Sequence, residues 1–276
     1  MKKLIPLLAL AAAIIPAKAS VIVTYAENPE ANLSSLSGTQ VFNFDSLKTG
    51  VNKNVAWGGV GSFDQLYVKG ADSYGGAADA TNPNGTKYSL QGAGTAVLNS
   101  TLLLDTPSSY FGMWWSAGDS KNVLDFYRGD TLVSTFNTAS LMEPLPGSYD
   151  GNPRNRAING GEPYAFINFF GDENTAWDRV VLRNNGSSGF ESDNYTTRAA
   201  AWNPATDGAL PGVAVSVVTG TTTTAATPAL LEGTRWTLDE TSVGNAPGAP
   251  LPPWTMLLAF AAVVAARKGK KAKASV

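Results

Sequence analysis

The 276-residue chain has neither cysteine nor histidine, which excludes disulfide staples, cysteine nucleophiles, Ser-His-Asp triads and the usual nitrogen and sulfur zinc sites. A composition 43% apolar and 10% aromatic describes a folded body, not a disordered one. Of 20 Lys and Arg, three precede Ser20 and five follow Ala266, so the body sets 12 bases against all 22 acids, a net charge of −10; such a surface repels phosphate backbones and excludes nucleic acid as a partner.

Residues 1–19 read as a secretory signal peptide. Lys2 and Lys3 precede an apolar stretch from Leu4 to Ile15, and Ala17-Lys18-Ala19 supplies the small residues before a cut at Ser20. Signal peptidase is the first implied partner, and the mature protein is expected to work outside the cytoplasm.

Residues 20–241 read as one all-β domain, an antiparallel sandwich of jelly-roll type. Gly and Pro recur every few positions, and no window shows a helical stripe of apolar residues. Val41 to Phe44 makes a short strand. Tyr110 to Trp115 is an aromatic strand, followed by a polar loop and then a strand over Val123 to Arg128. Gly129-Asp130 has the Gly-X form of a two-residue hairpin turn into Thr131 to Phe136. Both faces of the middle strand carry large side chains, as in a two-layer sandwich. Adjacent Trp114 and Trp115 must point to opposite faces. The Pro-, Gly- and Asn-rich run from Glu143 to Gly161 is a long loop of the kind that carries binding. Tyr164 to Phe170, Ala176 to Arg183 and a strand starting at Phe190 complete the pattern. Residues 219–229 are low-complexity, either a loop or an extended edge strand.

Residues 242–253 form a Pro/Gly linker. Trp254 to Ala266 is an apolar run of 13 residues, about 20 Å as a helix against a hydrocarbon core of about 30 Å. Arg267, Lys268, Lys270 and Lys271 would hold its end at the cytoplasmic face, with the body outside. Residues 254–276 thus read as a short hydrophobic helix with a basic tail, a membrane stop.

A signal peptide, an exported body, a proline motif, a short apolar helix and a basic end together resemble the PEP-CTERM class. Pro250-Leu251-Pro252-Pro253 stands where Pro-Glu-Pro is usual and is similar to a Pro-Leu-Pro variant of that motif. The stretches "YFGMWWSAGDSKNVLDFY", "EPYAFINFF" and "WDRVVLRN" resemble exosortase-dependent surface proteins without assigned biochemical activity, over most of residues 40–198. The resemblance implies processing by an exosortase-type protease and a place in the envelope, on the surface or in the extracellular matrix of a Gram-negative bacterium.

For chemistry, three classes stay open. Exposed aromatic rings stack on sugar faces, and Tyr110, Trp114, Trp115 and Tyr127, with Trp57 and Trp177, are the candidates for binding extracellular polysaccharide. Structural calcium is the second idea: Glu191 and Asp193 project from one strand face, and Asp45 or Asp178 could join them. No other cofactor is called. An enzyme built on two carboxylates, Glu191 with Asp178 or Glu162, is the third. Arg128-Gly129-Asp130 matches an adhesion tripeptide, which its turn context explains. The expectation is a non-catalytic exported protein that binds polysaccharide; its alternatives are a structural or partner-binding protein on a single-pass anchor, and a glycan-active enzyme.

Overall fold

The computed structural model describes residues 20–225, apart from 79, 80, 143, 144, 185, 220 and 221. The expected signal peptide, the expected linker with Pro250 to Pro253, and the expected hydrophobic helix with its basic tail lie outside the described residues.

Fourteen strands are described: β1 (Ser20–Tyr25), β2 (Gln40–Phe42), β3 (Gly50–Trp57), β4 (Gly61–Lys69), β5 (Tyr88–Gly92), β6 (Asn99–Ser108) and β7 (Tyr110–Ser116), then β8 (Asn122–Arg128), β9 (Thr131–Asn137), β10 (Ala165–Gly171), β11 (Trp177–Asn184), β12 (Gly189–Arg198), β13 (Val213–Thr219) and β14 (Thr222–Ala225). All pairings are antiparallel. The strands join edge to edge into one sheet in the order β14, β13, β1, β10, β7, β12, β5, β4, β6, β11, β8, β9, with β2 on β12 and β3 on β4. Among the described residues no helix is long and apolar enough to cross a membrane.

This sheet is strongly curled. Strands far apart in the order meet face to face: the ring of Phe126 on β8 lies 5.1 Å from that of Phe169 on β10, and Phe136 on β9 lies 5.0 Å from the same ring. Aromatic rings therefore fill the concave side, where Phe111, Trp115, Phe126, Phe169, Trp177 and Tyr195 belong to one buried cluster. Stacked and edge-on pairs at these separations add to the burial of large apolar area.

Several consecutive strands, β6 and β7, β7 and β8, and β9 through β12, fall in opposite, facing halves, whereas β8 and β9 stay together as a hairpin. β7 pairs with β10 and β12, whereas β8 pairs with β9 and β11. The sequence places β7, β8 and β9 in a row, but the polar loop after β7 carries the chain across the core rather than into a hairpin. The turn between β8 and β9 does close as expected: Arg128 pairs with Thr131, and Gly129 sits at φ +56°, a conformation glycine adopts at little cost.

The convex side differs along the sheet. Over β1, β7 and β10 it is covered by connecting segments, giving two further buried clusters: Tyr110 and Phe170 under Leu36, Trp202 and Leu210, and Trp114 and Phe166 with Ala77, Ala117 and Tyr164. Hence every residue of β7 and β10 is buried. Over β6, β11, β8 and β9 burial alternates, and the outer face is open.

Candidate functional site

A cavity of about 340 Å³ opens on the covered convex side. Four chain segments build it. β7 contributes Trp114, the segment after β1 contributes Glu30 and Asn32, the β4–β5 connection contributes Gly76 and Ala78, and the loop after β9 contributes Asn152 and Arg154. Strand alternation explains the first contribution: with Trp115 turned inward and stacked on Phe190 at 4.7 Å, Trp114 must turn outward, where its ring packs against Tyr164 at 5.9 Å.

Hydrogen bonds hold the walls. The Arg154 guanidinium donates to the carbonyls of Asp72, Gly75 and Asn84, tying the loop after β9 to the β4–β5 connection. Asn152 and Asn159 both donate to Ser73 O, at 3.0 and 2.8 Å. Asn32 donates to Ala78 O. The one carboxylate of the lining, Glu30, is paired with Arg156 at 2.9 Å.

Beneath these walls lie Glu191 and Asp193 on β12. Asp193 is fully buried. Its Oδ2 accepts from Thr86 Oγ1 at 2.6 Å and from Ala77 N at 3.1 Å, and its Oδ1 accepts from Asn194 N at 2.7 Å. A register shift between β12 and β7 at this point, with Asn194 at φ +51°, marks the place. Burial, reinforced by Asp45, outweighs these hydrogen bonds and raises the Asp193 carboxyl to about 7. Burial also pushes Glu191 up to about 8, with the negative fields of Asp119, Asp72 and Glu162 adding to it and a hydrogen bond from its own backbone opposing.

The sequence candidates separate on this framework. Tyr110 is buried, its hydroxyl 2.6 Å from Ser34 Oγ and 2.7 Å from Asn168 Oδ1. Trp115, Trp177 and Trp57 are core rings, Trp177 lying 4.5 Å from Phe126 and Trp57 stacked 6.2 Å from Phe63. As candidates for sugar stacking, Tyr110, Trp115, Trp57 and Trp177 are thus corrected, because the curl of the sheet and the loops over its convex side bury them. Trp114 keeps an edge on the cavity at 2% exposure. Tyr127 stands half-buried on the open outer face, with the Arg179 guanidinium 4.4 Å above its ring.

The calcium candidates do not form one cluster, although Asp45 lies near enough to Asp193 to raise its carboxyl. Asp45 accepts from Lys87 N at 2.9 Å, and both oxygens of Asp178 accept from Gly129 N at 3.0 Å. Among the described residues no group of three or more acidic side chains could hold a metal ion. Glu191 and Asp193 do share the outer face of β12, as their spacing requires, but the sheet order sets β11, and Asp178 with it, in the other half. The enzyme pairing of Glu191 with Asp178 fails for the same reason, while Glu162 lies close enough to raise the Glu191 carboxyl.

Sequence reasoning missed Asn32, Arg154, Ala77 and Thr86. For Arg154 a signal existed, since it lies in the long Pro-, Gly- and Asn-rich loop. Asn32, Ala77 and Thr86 carry none, because their role depends on which strand lies beneath them.

No protein-family profile, curated protein or solved structure matches the chain.

Proposed function

We propose that the protein is an exported, exosortase-sorted component of a Gram-negative cell surface or extracellular matrix, non-catalytic, whose body binds extracellular polysaccharide at the cavity beside Trp114. Signal peptidase and an exosortase-type protease acting near Pro250 to Pro253 are its processing partners, and the basic C-terminal tail is its transient hold on the inner membrane. The supporting observation is the cavity's chemistry: an indole edge, two side-chain amides, a guanidinium and one carboxylate already engaged by Arg156. Such a mixture of an apolar ring and hydrogen-bonding groups suits hydroxyl-rich ligands. A lining with a single, ion-paired carboxylate does not supply the pair of acids that glycoside hydrolysis uses.

We read the curled sheet as a sandwich made by one sheet folding over itself, jelly-roll-like where β7 and β8, and β9 through β12, cross between halves. One observation favours a partner-binding role as the second reading. On the bare outer face Leu103, Arg179, Tyr127 and Leu132 lie in register across β6, β11, β8 and β9, with Leu103 50% and Leu132 43% exposed.

A glycan array tests the binding role. Binding that weakens at least tenfold in Trp114→Phe, which keeps an aromatic ring against Tyr164, is the expected result. No binding on the array, or binding indifferent to Trp114 and lost in Tyr127→Ala, moves the role to the open face.

A further inference from the structure

The wall of the cavity formed by Gly76 and Ala78 is fastened to the sheet through the residue between them. Ala77 N donates to Asp193 Oδ2, and Ala77 O accepts from Thr86 N at 2.8 Å. Thr86 Oγ1 lies 2.8 Å from that same carbonyl oxygen and 2.6 Å from Asp193 Oδ2. A hydroxyl has one proton and a carbonyl can only accept. If Thr86 gives its proton to Ala77 O, the short contact to Asp193 is closed by a proton on the carboxyl. If Asp193 is ionised it takes the Thr86 proton, and two oxygens, Thr86 Oγ1 and Ala77 O, face each other at 2.8 Å with no hydrogen between them. The geometry fits a protonated Asp193 best.

The charges around this point also favour a proton. On β12 itself Glu191 projects from the same face. Asp45, on the segment after β2, acts on Asp193, while Asp119 from the loop after β7, Asp72 from the β4–β5 connection and Glu162 from the loop before β10 act on Glu191. The nearby hydroxyls are those of Tyr88, 3.1 Å from Asp72 Oδ1, and Tyr164, 3.1 Å from Ser73 O. Four nearby cations are engaged elsewhere. Lys69 pairs with Asp72 at 2.6 Å, Lys87 Nζ donates to the carbonyls of Asp45 and Leu47, Arg154 holds three carbonyls, and Arg156 pairs with Glu30.

We propose that residues 72–78 are a proton-latched wall of the cavity, closed while Asp193 carries a proton and released when this carboxyl ionises. The latch regulates the site assigned above to polysaccharide, and its role in binding rests on that assignment; the latch itself does not. The Asp193 carboxyl is neutral in mildly acidic surroundings, so the wall closes there and opens as pH rises through about 7. The wall has little slack when shut. Gly76 sits at φ +92°, and a Cβ on it would stand 2.4 Å from Thr86 O, so a small displacement at Ala77 or Thr86 changes the lining directly.

Amide hydrogen exchange of the full chain between pH 5.5 and 9, corrected for intrinsic rates, reads the latch without any ligand. Amides of residues 72–78 are expected to lose at least tenfold protection over that range while those of β7 do not. Asp193→Asn, which can donate to Thr86 but cannot ionise, should flatten the change. Thr86→Val, nearly isosteric, should leave the wall open already at pH 5.5. Constant protection at 72–78, or a loss shared equally by β7, overturns the latch. The same samples on a glycan array separate the two ideas: a wall that opens with no saccharide bound at any pH refutes the polysaccharide role and keeps the latch. Saccharide bound equally at both ends of the range over a wall of constant protection does the reverse.

Discussion

The two halves of the curled sheet are built from similar strands and end up in different surroundings. In β7 and β10 the residues turned away from the core include Tyr110, Gly112, Trp114, Phe166, Asn168 and Phe170, and loops cover them. In β11 and β8 the corresponding positions include Arg179, Val181, Arg183 and Tyr127, and nothing among the described residues covers them. Inward positions are mostly aromatic or aliphatic in both, with Asn122 and Asn184 bonded to each other at the end of β8 and β11. The outward set therefore decides which half acquires a second layer, and only where there is a second layer can a walled cavity form. The covered half holds the cavity and the raised carboxyls, and the open half presents a flat row of side chains.

The contrast can be broken at its strongest point by truncating a ring on each half. Trp115→Ala removes a fully buried ring stacked on Phe190 and should cost about 3 to 5 kcal/mol in denaturant unfolding. Tyr127→Ala, on the open face, should cost about 1 kcal/mol or less, since it forfeits partial burial and one cation–π contact. Equal losses would mean that the outer face of the second half is also covered.

Stability against pH is the next test. Glu191 and Asp193 hold protons in the folded state at pH values where the unfolded chain has released them. Their contribution is thus fully present below about pH 4, declines as pH rises toward 8 and is constant above that, by up to about 1.4 kcal/mol per pH unit for each group. Urea midpoints from pH 4 to 9 should fall, and the double variant Glu191→Gln with Asp193→Asn should show a shallower slope. A wild-type midpoint that climbs between pH 5 and 8 would place the ionised forms in the fold instead.

A smaller effect is expected from the ion pair on the open half. Arg183 Nε lies 2.7 Å from Asp125 Oδ2, with Asp125 nearly buried and Arg183 partly exposed. Arg183→Met should cost about 1 kcal/mol, mostly through the carboxylate left behind. The smallest effect concerns calcium: with no acidic group among the described residues able to hold it, chelator should leave the melting temperature within about 1 °C, and a drop of several degrees would require a site elsewhere in the chain.

Much of the strand pattern is legible in the sequence because it is local. The strands read from Tyr110, Val123, Thr131, Tyr164 and Ala176 onward begin within one residue of the observed ones, since each is aromatic or β-branched and bounded by Gly, Asn or Asp. Residues 219–229 contain an edge strand, β14, as one of their two readings has it. Strands β1, β3 to β6 and β13 were missed; Lys, Asn and Gln interrupt β3 and β4, and β6 carries Pro107 near its end. The order of strands is a different matter. Nothing local states that β7 and β8 belong to opposite halves, and the two-sheet expectation gave way to a single continuous sheet. For the site the same divide holds: alternation tells that Trp114 and Trp115 diverge, but not which of them lines a cavity. That choice comes from loops whose own residues, Ala77 and Thr86 among them, look unremarkable without the strand they cover.

The place of β1 carries a consequence for how the molecule forms. Its residues pair with β10 on one edge and β13 on the other, Val21 opposite both Gly171 and Val218. The first described strand thus has no neighbour until the chain beyond residue 170 is at hand, and no second neighbour until the last strands arrive. Such long-range closure is slow compared with local hairpins. A growing chain would carry β1 unpaired for most of its synthesis, and the body would lock shut late, once β10 and β13 were both at hand to flank it.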